Sequence, residues 1–324
     1  MLSHPSLPSG SDLIRTVISA ALAVVLISPL SRASDEATKA VTQTPGLVGF
    51  WTFGEEAGRE RCSSGTSEKL PLEEVGGPIP RIEGGAFSGY SAQFDGQHYF
   101  RIPHAALGGL NISGTDAQVS MFAAVKVRSG KTIAGIWSEG KGHGDDSGTR
   151  QYAMLLDMPT YGGPNKLTPH VSSEGGVTHR ADGSRFPWCA DYAAGKTTLP
   201  RDEWMTLGFT YDGRFIRAYF NGVFDAQDFD AEKQKRTDPY FTTEGPNGGP
   251  RGINPFYHGR GIFAYDAAKH ATTKIAPSDF TVGSRLVMGG KLREALIGDM
   301  AGLAVFNRAL GDEEMKKLHA AAQK

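Results

Sequence analysis

Hydrophobic residues recur at every second position along several stretches of this chain, most clearly from Glu203 to Ala226. Met205, Leu207, Phe209 and Tyr211 are apolar, and Thr206, Gly208 and Thr210 between them are small or polar. Period two is the signature of a strand with one buried face. Asp212-Gly213 follows, then Phe215 to Phe220 with Ile216, Ala218 and Phe220 on one face, then Asn221-Gly222 and Val223 to Ala226. Asp-Gly and Asn-Gly accept positive φ, so the segment predicts a three-stranded antiparallel meander. Val119, Met121, Ala123, Val125 and Val127 alternate in the same way and predict a core strand. From Ile297 to Phe306, Met300, Gly302, Ala304 and Phe306 form one row and Ala301, Leu303 and Val305 the other. Both rows are apolar, as expected of a central strand covered on both faces.

Shorter apolar runs predict strands at Leu47 to Phe53, Ala92 to Phe94, Tyr99 to Ile102, Thr132 to Trp137, Tyr152 to Asp157, Leu167 to Ser172 and Phe280 to Gly283. Glu55 to Gly89 lacks period and predicts a long loop. Glu174 to Pro200 and Asp228 to Asp279 read as insertions, the second long enough to suggest a functional segment. Asp312 to Ala322 has helix period through Met315, Leu318 and Ala322, with a favourably ordered Glu313–Lys317 pair. It is the one clear helix beyond the N-terminal region.

Composition sharpens the picture at the N-terminus. Arg15 precedes an apolar run, Val17 to Ile27, and Ser31-Arg32-Ala33 places small residues for cleavage after Ala33. The run is shorter than the roughly 20 apolar residues of a spanning helix. The expected organisation is therefore a signal peptide at 1–33, a flexible lead-in at 34–45 and one domain at 46–324, secreted or periplasmic, with no membrane span in the mature chain. A formal net charge of −1 gives no polyanion-binding bias, so no nucleic-acid partner is expected. Glycine, at 42 residues, is about double its ordinary share, which suits an all-β chain with many tight turns. The two cysteines, Cys62 and Cys189, are candidates for one disulfide in an exported chain. It would tie the first loop to the central insertion. Two scattered cysteines do not suggest a zinc site, which takes about four ligands.

Trp204, Leu207, Phe209, Thr210, Tyr211, Asp212 and Gly213, followed by a strand and Asn221-Gly222, carry a further signal. This W-x-x-L-x-F-T-Y-D-G block resembles the laminin-G-like, concanavalin-A-like lectin–glucanase jelly-roll superfamily. LVGFWTFGEEAG (Leu47 to Gly58), AQFDGQHYFRIP (Ala92 to Pro103) and GDMAGLAVFNRALGDEEMKKL (Gly298 to Leu318) are similar to its opening, second-and-third and closing segments, in the family order. The resemblance implies an all-β fold: an antiparallel β-sandwich (jelly roll) with long loop insertions and a short C-terminal helix, its first and last strands adjacent. It also implies a binding face on the concave sheet and the loops above it. Arg150, Tyr152, His170, Trp188, Asn254 and Tyr257 are the candidate ligand-binding residues there, whereas Trp51 and Trp204 read as core. Such domains often carry calcium at the sheet edge, which here would fall to Asp95 and Asp299. Gln97-His98 stands where the family pattern has acidic residues.

The expected function is non-catalytic binding of a glycan or polysaccharide. A polysaccharide-cleaving enzyme (lyase or glycoside hydrolase) of the same fold, or a protein-adhesion module, is the alternative. The Glu-x-Asp-x-x-Glu strand motif of retaining glucanases, which sets two carboxylates on one face, is absent. So are Gly-x-Ser-x-Gly and His-Glu-x-x-His.

Overall fold

A computed structural model of the 324-residue chain describes residues 1–2, 29–142, 144, 146–159, 164–179, 185, 187–225, 256–257, 261–270, 275–287 and 291–323. The chain opens with helix α1 (Pro29–Thr42), then strands β1 (Leu47–Trp51), β2 (Glu73–Val75), β3 (Arg81–Glu83), β4 (Tyr90–Asp95) and β5 (Tyr99–Ile102). It continues through β6 (Val119–Ser129), β7 (Thr132–Ile136), β8 (Tyr152–Leu156) and β9 (Leu167–Val171). Next come β10 (Trp204–Tyr211), β11 (Phe215–Phe220), β12 (Val223–Phe224), β13 (Phe256–Tyr257) and the one-turn helix α2 (Ala267–His270). The last elements are β14 (Phe280–Val282), β15 (Arg285–Val287), β16 (Lys291–Arg293), β17 (Ile297–Phe306) and helix α3 (Asp312–Ala321).

Two antiparallel sheets form a sandwich. The larger runs β12-β11-β10-β6-β17-β4-β3, with β1 also on β17 and β13 on β11; the smaller runs β2-β5-β14-β7-β8-β9. The predicted meander is present, with Leu207 opposite Phe220 and Phe220 opposite Val223. The first and last strands are neighbours, Leu47 facing Phe306. The chain crosses from one sheet to the other at Asp95-Gly96 and again at Gly130, both glycines holding positive φ (+85° and +99°). Met205, Leu207, Phe209 and Tyr211 join Val119, Met121, Ala123, Val125 and Val127 in the inter-sheet core, together with Trp51, Phe94, Phe100, Tyr152 and Phe280.

Several expectations change. Residues 34–45 are not a flexible lead-in: α1 runs through Thr42, with Ala37 and Val41 fully buried. They pack with Phe50, Phe87, Phe122, Phe306, Leu310, Met315 and Leu318 in a second apolar cluster on the outer face of the larger sheet. The first loop contains two short strands, β2 and β3, which extend the smaller and larger sheets. Trp204 is not core; it is 41 % exposed, because it continues the outward row of Thr206, Gly208 and Thr210, and its ring lies 5.3 Å from the Lys126 ammonium. The two rows of β17 also differ from simple alternation. A register shift between Met300 and Gly302 puts Met300 with Leu303 and Val305 in the inter-sheet core, and Ala301 with Ala304 and Phe306 in the second cluster.

Candidate functional site

Register fixes which side chains share a face of the smaller sheet. Ile102, Phe280, Ile136, Tyr152 and Val171 are successive partners across five strands, and all lie in the inter-sheet core. The adjacent row, Arg101, Thr281, Gly135, Ala153 and His170, therefore points away from the core. On most sandwiches such a face meets water. Here the half beyond Gly135 is roofed by loops, and His170 is fully buried.

Three segments make the roof. Residues 190–193 run alongside edge strand β9: the Val171 amide donates to Asp191 O (3.2 Å), the Ala193 amide to Pro169 O (3.0 Å), and Tyr192 bridges His170. Residues 146–151 are tied down by Arg150, whose Nη1 donates to Gly175 O (3.1 Å) and Gly176 O (2.9 Å). A Cβ at Gly148 would come within 2.4 Å of the backbone oxygen of Gly175, so only glycine fits without a backbone shift. Residues 261–270 and 275–279 close the remaining side through the Phe263 amide on Ser172 O (2.8 Å) and the Ser278 hydroxyl on Thr149 O (2.7 Å).

Beneath the roof lies a polar cluster centred on Trp137, only 3 % exposed. Two guanidinium groups flank its ring, Arg285 at 4.2 Å and Arg150 at 4.9 Å. His170 meets the same ring edge-on at 6.0 Å and Tyr192 at 4.7 Å. Arg285 is paired with Glu294 and lies 3.9 Å from Glu139. Arg150 has carbonyl acceptors and no carboxylate partner among the described residues. Among the described residues, Nε and Nη2 of Arg150, Nε and Nη1 of Arg285, and the indole N–H groups of Trp137 and Trp188 meet no acceptor, more groups than the acceptors left over, such as Gln151 Oε1. His170 Nε2 is 2.9 Å from Cys189 Sγ, and the Thr178 hydroxyl donates to Asp191 Oδ1 at 2.6 Å. Burial pushes the Cys189 thiol up to about 12 and raises the Tyr192 phenol. Burial thus disfavours the thiolate form of Cys189.

Of the residues singled out from sequence, Arg150 and His170 meet around Trp137, and half-buried Trp188 packs at the edge of the same region. Tyr152 lies on the opposite, core face, its hydroxyl on Leu110 O (2.7 Å). Asn254 lies outside the described residues; Tyr257 is placed only as backbone, in β13 against Phe215. The Cys62–Cys189 disulfide is not formed. Cys62 sits on the first loop, and Cys189 is buried beneath the roof against His170. Trp137, Arg285, Asp191 and Tyr192 were missed as a group. The available signal was the run Trp188 to Ala194, which is too rich in small apolar residues for a solvated loop.

The calcium expectation does not fit the residues present. Both oxygens of Asp299 are held by Arg128 (3.0 and 2.7 Å), with the Lys126 ammonium at 3.5 Å. Asp95 accepts from the amides of Gln97 (2.8 Å) and His98 (3.0 Å) and from the His98 ring (2.7 Å). Burial works to raise the Asp95 pKa, but these donors outweigh it and hold the carboxyl below its usual range. An ion that takes six to eight oxygens finds two cationic side chains in its place.

No family model and no curated protein matches this chain. Comparison with solved structures gives matches at low identity. One is domain 4 of a GH43 extracellular arabinanase from Geobacillus stearothermophilus in complex with arabinotriose: 16 % identity, 84 % of this chain and 98 % of that one, TM-score 0.42. Another is the binding domain of Paraclostridial Mosquitocidal Protein 1: 10 % identity, 86 % of this chain and 52 % of that one, TM-score 0.49. A third is Trypanosoma rangeli sialidase in complex with sialic acid: 13 % identity, 90 % of this chain and 37 % of that one, TM-score 0.46. The match thus spans about half of the second and little more than a third of the third. No helix among the described residues is long and apolar enough to cross a membrane.

Proposed function

We propose that this chain is an exported, non-catalytic glycan-binding sandwich that resembles the laminin-G-like proteins, and that its ligand is taken at the roofed face of the smaller sheet. One observation carries the reading: the surplus of N–H donors around Trp137. A buried donor without an acceptor costs about 1–3 kcal/mol. Arg150 and the two indoles therefore favour a guest rich in acceptor oxygens, as sugar hydroxyls and carboxylates are. Trp188, half-buried at the rim, supplies an aromatic face for a sugar ring. Tight packing of the roof means that entry requires the loops to part.

The experiment is a glycan array run with and without calcium, followed by calorimetry on the hits. Binding should be insensitive to calcium, and Trp188→Ala should weaken it about tenfold or more, the equivalent of about 1.4 kcal/mol. An array without signal, or a Trp188→Ala protein that binds as well as the parent, defeats the proposal.

A second reading draws on the same cluster. Ionisable groups gathered in one buried place, Arg150, His170, Cys189, Asp191 and Tyr192, also suit a polysaccharide-cleaving enzyme. Release of reducing ends or unsaturated uronates from the array hits would select it; hits that remain intact retain the binding reading.

A further inference from the structure

We propose that His170, Cys189 and Asp191 form a binding site for one divalent transition-metal ion, zinc before others. The inference is independent of the glycan reading and stands or falls without it. It also departs from the expectation that two distant cysteines bear on a disulfide and not on a metal.

The geometry comes first. One ligand atom from each residue lies within 4.8 Å of those of the other two, and His170 Nε2 is 2.9 Å from Cys189 Sγ. Around a tetrahedral zinc, with bonds of roughly 2.0–2.3 Å, ligand atoms stand roughly 3.3–3.6 Å apart. The three groups bracket that spacing, so side-chain adjustments of about an ångström would seat an ion. Burial separates this set from ordinary surface clusters: His170 and Asp191 are fully buried and Cys189 is 5 % exposed.

The donors select the metal. One thiol sulfur, one imidazole nitrogen and one carboxylate oxygen suit zinc or its neighbours in the first transition row, not calcium or magnesium. Three protein ligands leave a fourth position for water.

The surroundings resemble the outer support of a metal site. Thr178 donates its hydroxyl to Asp191 Oδ1 (2.6 Å) and is itself fixed by the Ala190 amide (2.7 Å). Trp137 and Tyr192 pack edge-on against the His170 ring and fix its plane. Such support sets ligand orientation and commonly contributes 10–100-fold in affinity.

Charge is consistent too. Binding at neutral pH replaces the Cys189 thiol proton with the ion, and that proton leaves to solvent. A dication with a thiolate and a carboxylate sums to zero, an easier burden for a buried site than a lone carboxylate. Arg150 lies in Coulombic reach of Cys189 and opposes a bare cation. The two anionic ligands offset that opposition.

The test uses the full chain stripped of metal with a chelator and titrated with cobalt(II). A site containing a thiolate gives an intense sulfur-to-cobalt charge-transfer band in the near ultraviolet, saturating at about one equivalent, and zinc should displace it. Cys62→Ser should keep the band and Cys189→Ser should lose it. Thr178→Val should lower the affinity by about tenfold or more. Should Cys189→Ser fail to fold, the Cys62→Ser protein still decides the matter, because any thiolate band it shows comes from Cys189. No saturable band in the parent chain, or a band lost in Cys62→Ser, overturns the proposal.

Discussion

The two sheets of this sandwich are covered on their outer faces in opposite ways. The larger sheet turns Phe50, Phe122, Ala304 and Phe306 outward and is sealed by α1 and α3, which contribute Ala37, Val41, Met315 and Leu318. The smaller sheet turns Thr281, His170 and, one residue past β7, Trp137 outward, and is sealed by loops. Apolar contact on the helical side needs no directional pairing and leaves no polar debt. On the loop side, each buried polar group has to be matched individually, and several N–H groups are not. Equal burial therefore has different meanings: on one side it holds the fold, and on the other it stores unmet hydrogen-bonding capacity, which is what a ligand recognises.

Substitutions can break or sharpen this contrast. The largest loss of stability is expected on the helical side. Phe306→Ala, at a fully buried ring, should cost about 3–5 kcal/mol in denaturant unfolding without altering glycan or cobalt binding once folded. Next is the Asp299–Arg128 pair at the sheet edge. Asp299→Ala removes two charge-assisted hydrogen bonds and should cost about 1.5–3 kcal/mol, whether or not calcium is added. Arg150→Met should then separate the two faces: it removes the buried Nε and Nη2 but leaves Gly175 O and Gly176 O without that donor, so it should cost about 1–3 kcal/mol, less than Phe306→Ala, with a loss of glycan binding. A large loss of stability in Arg150→Met would mean that both outer faces serve the fold alike.

The smallest effect concerns pH and again belongs to the helical side. Burial lowers the pKa of His319 on α3, whose Nδ1 is 2.9 Å from the Thr206 hydroxyl. The unfolded state then binds more protons than the native state, so stability rises with pH. The contribution of His319 is complete above about pH 6.5, its unfolded value, and is lost as pH falls through the lower folded value. His319→Gln should flatten that part of the stability–pH curve, as thermal melts from pH 7.5 down to 5 would record.

How far the sequence reveals all this follows the same contrast. Where side chains alternate against a continuous core, as from Met205 to Tyr211 and from Val119 to Val127, period two reports the strand and its buried face correctly. Departures arise where one residue breaks phase or where small residues form the contact. The register shift at Met300 exchanges the rows of β17, and alternation cannot display a shift that depends on the neighbouring strand. Among the described side chains of helix α1, from Ser34 to Thr42, only Ala37 and Val41 are buried, a contact stripe too thin to stand out. Arg150 and His170 were recognisable as isolated polar residues near insertions. Their meeting with Trp137, Cys189 and Asp191 was not, because the course of residues 190–195 along the sheet follows hydrogen bonds to β9 and not any repeat in the chain.

The pairing of β1 with β17 has a temporal consequence. A strand near residue 50 waits for one near residue 300 before its amides find partners, so the larger sheet cannot be completed until the chain has been made through Phe306. Contacts so distant along the chain slow folding. During synthesis the nascent polypeptide would stay open for longer than a hairpin-by-hairpin sandwich would.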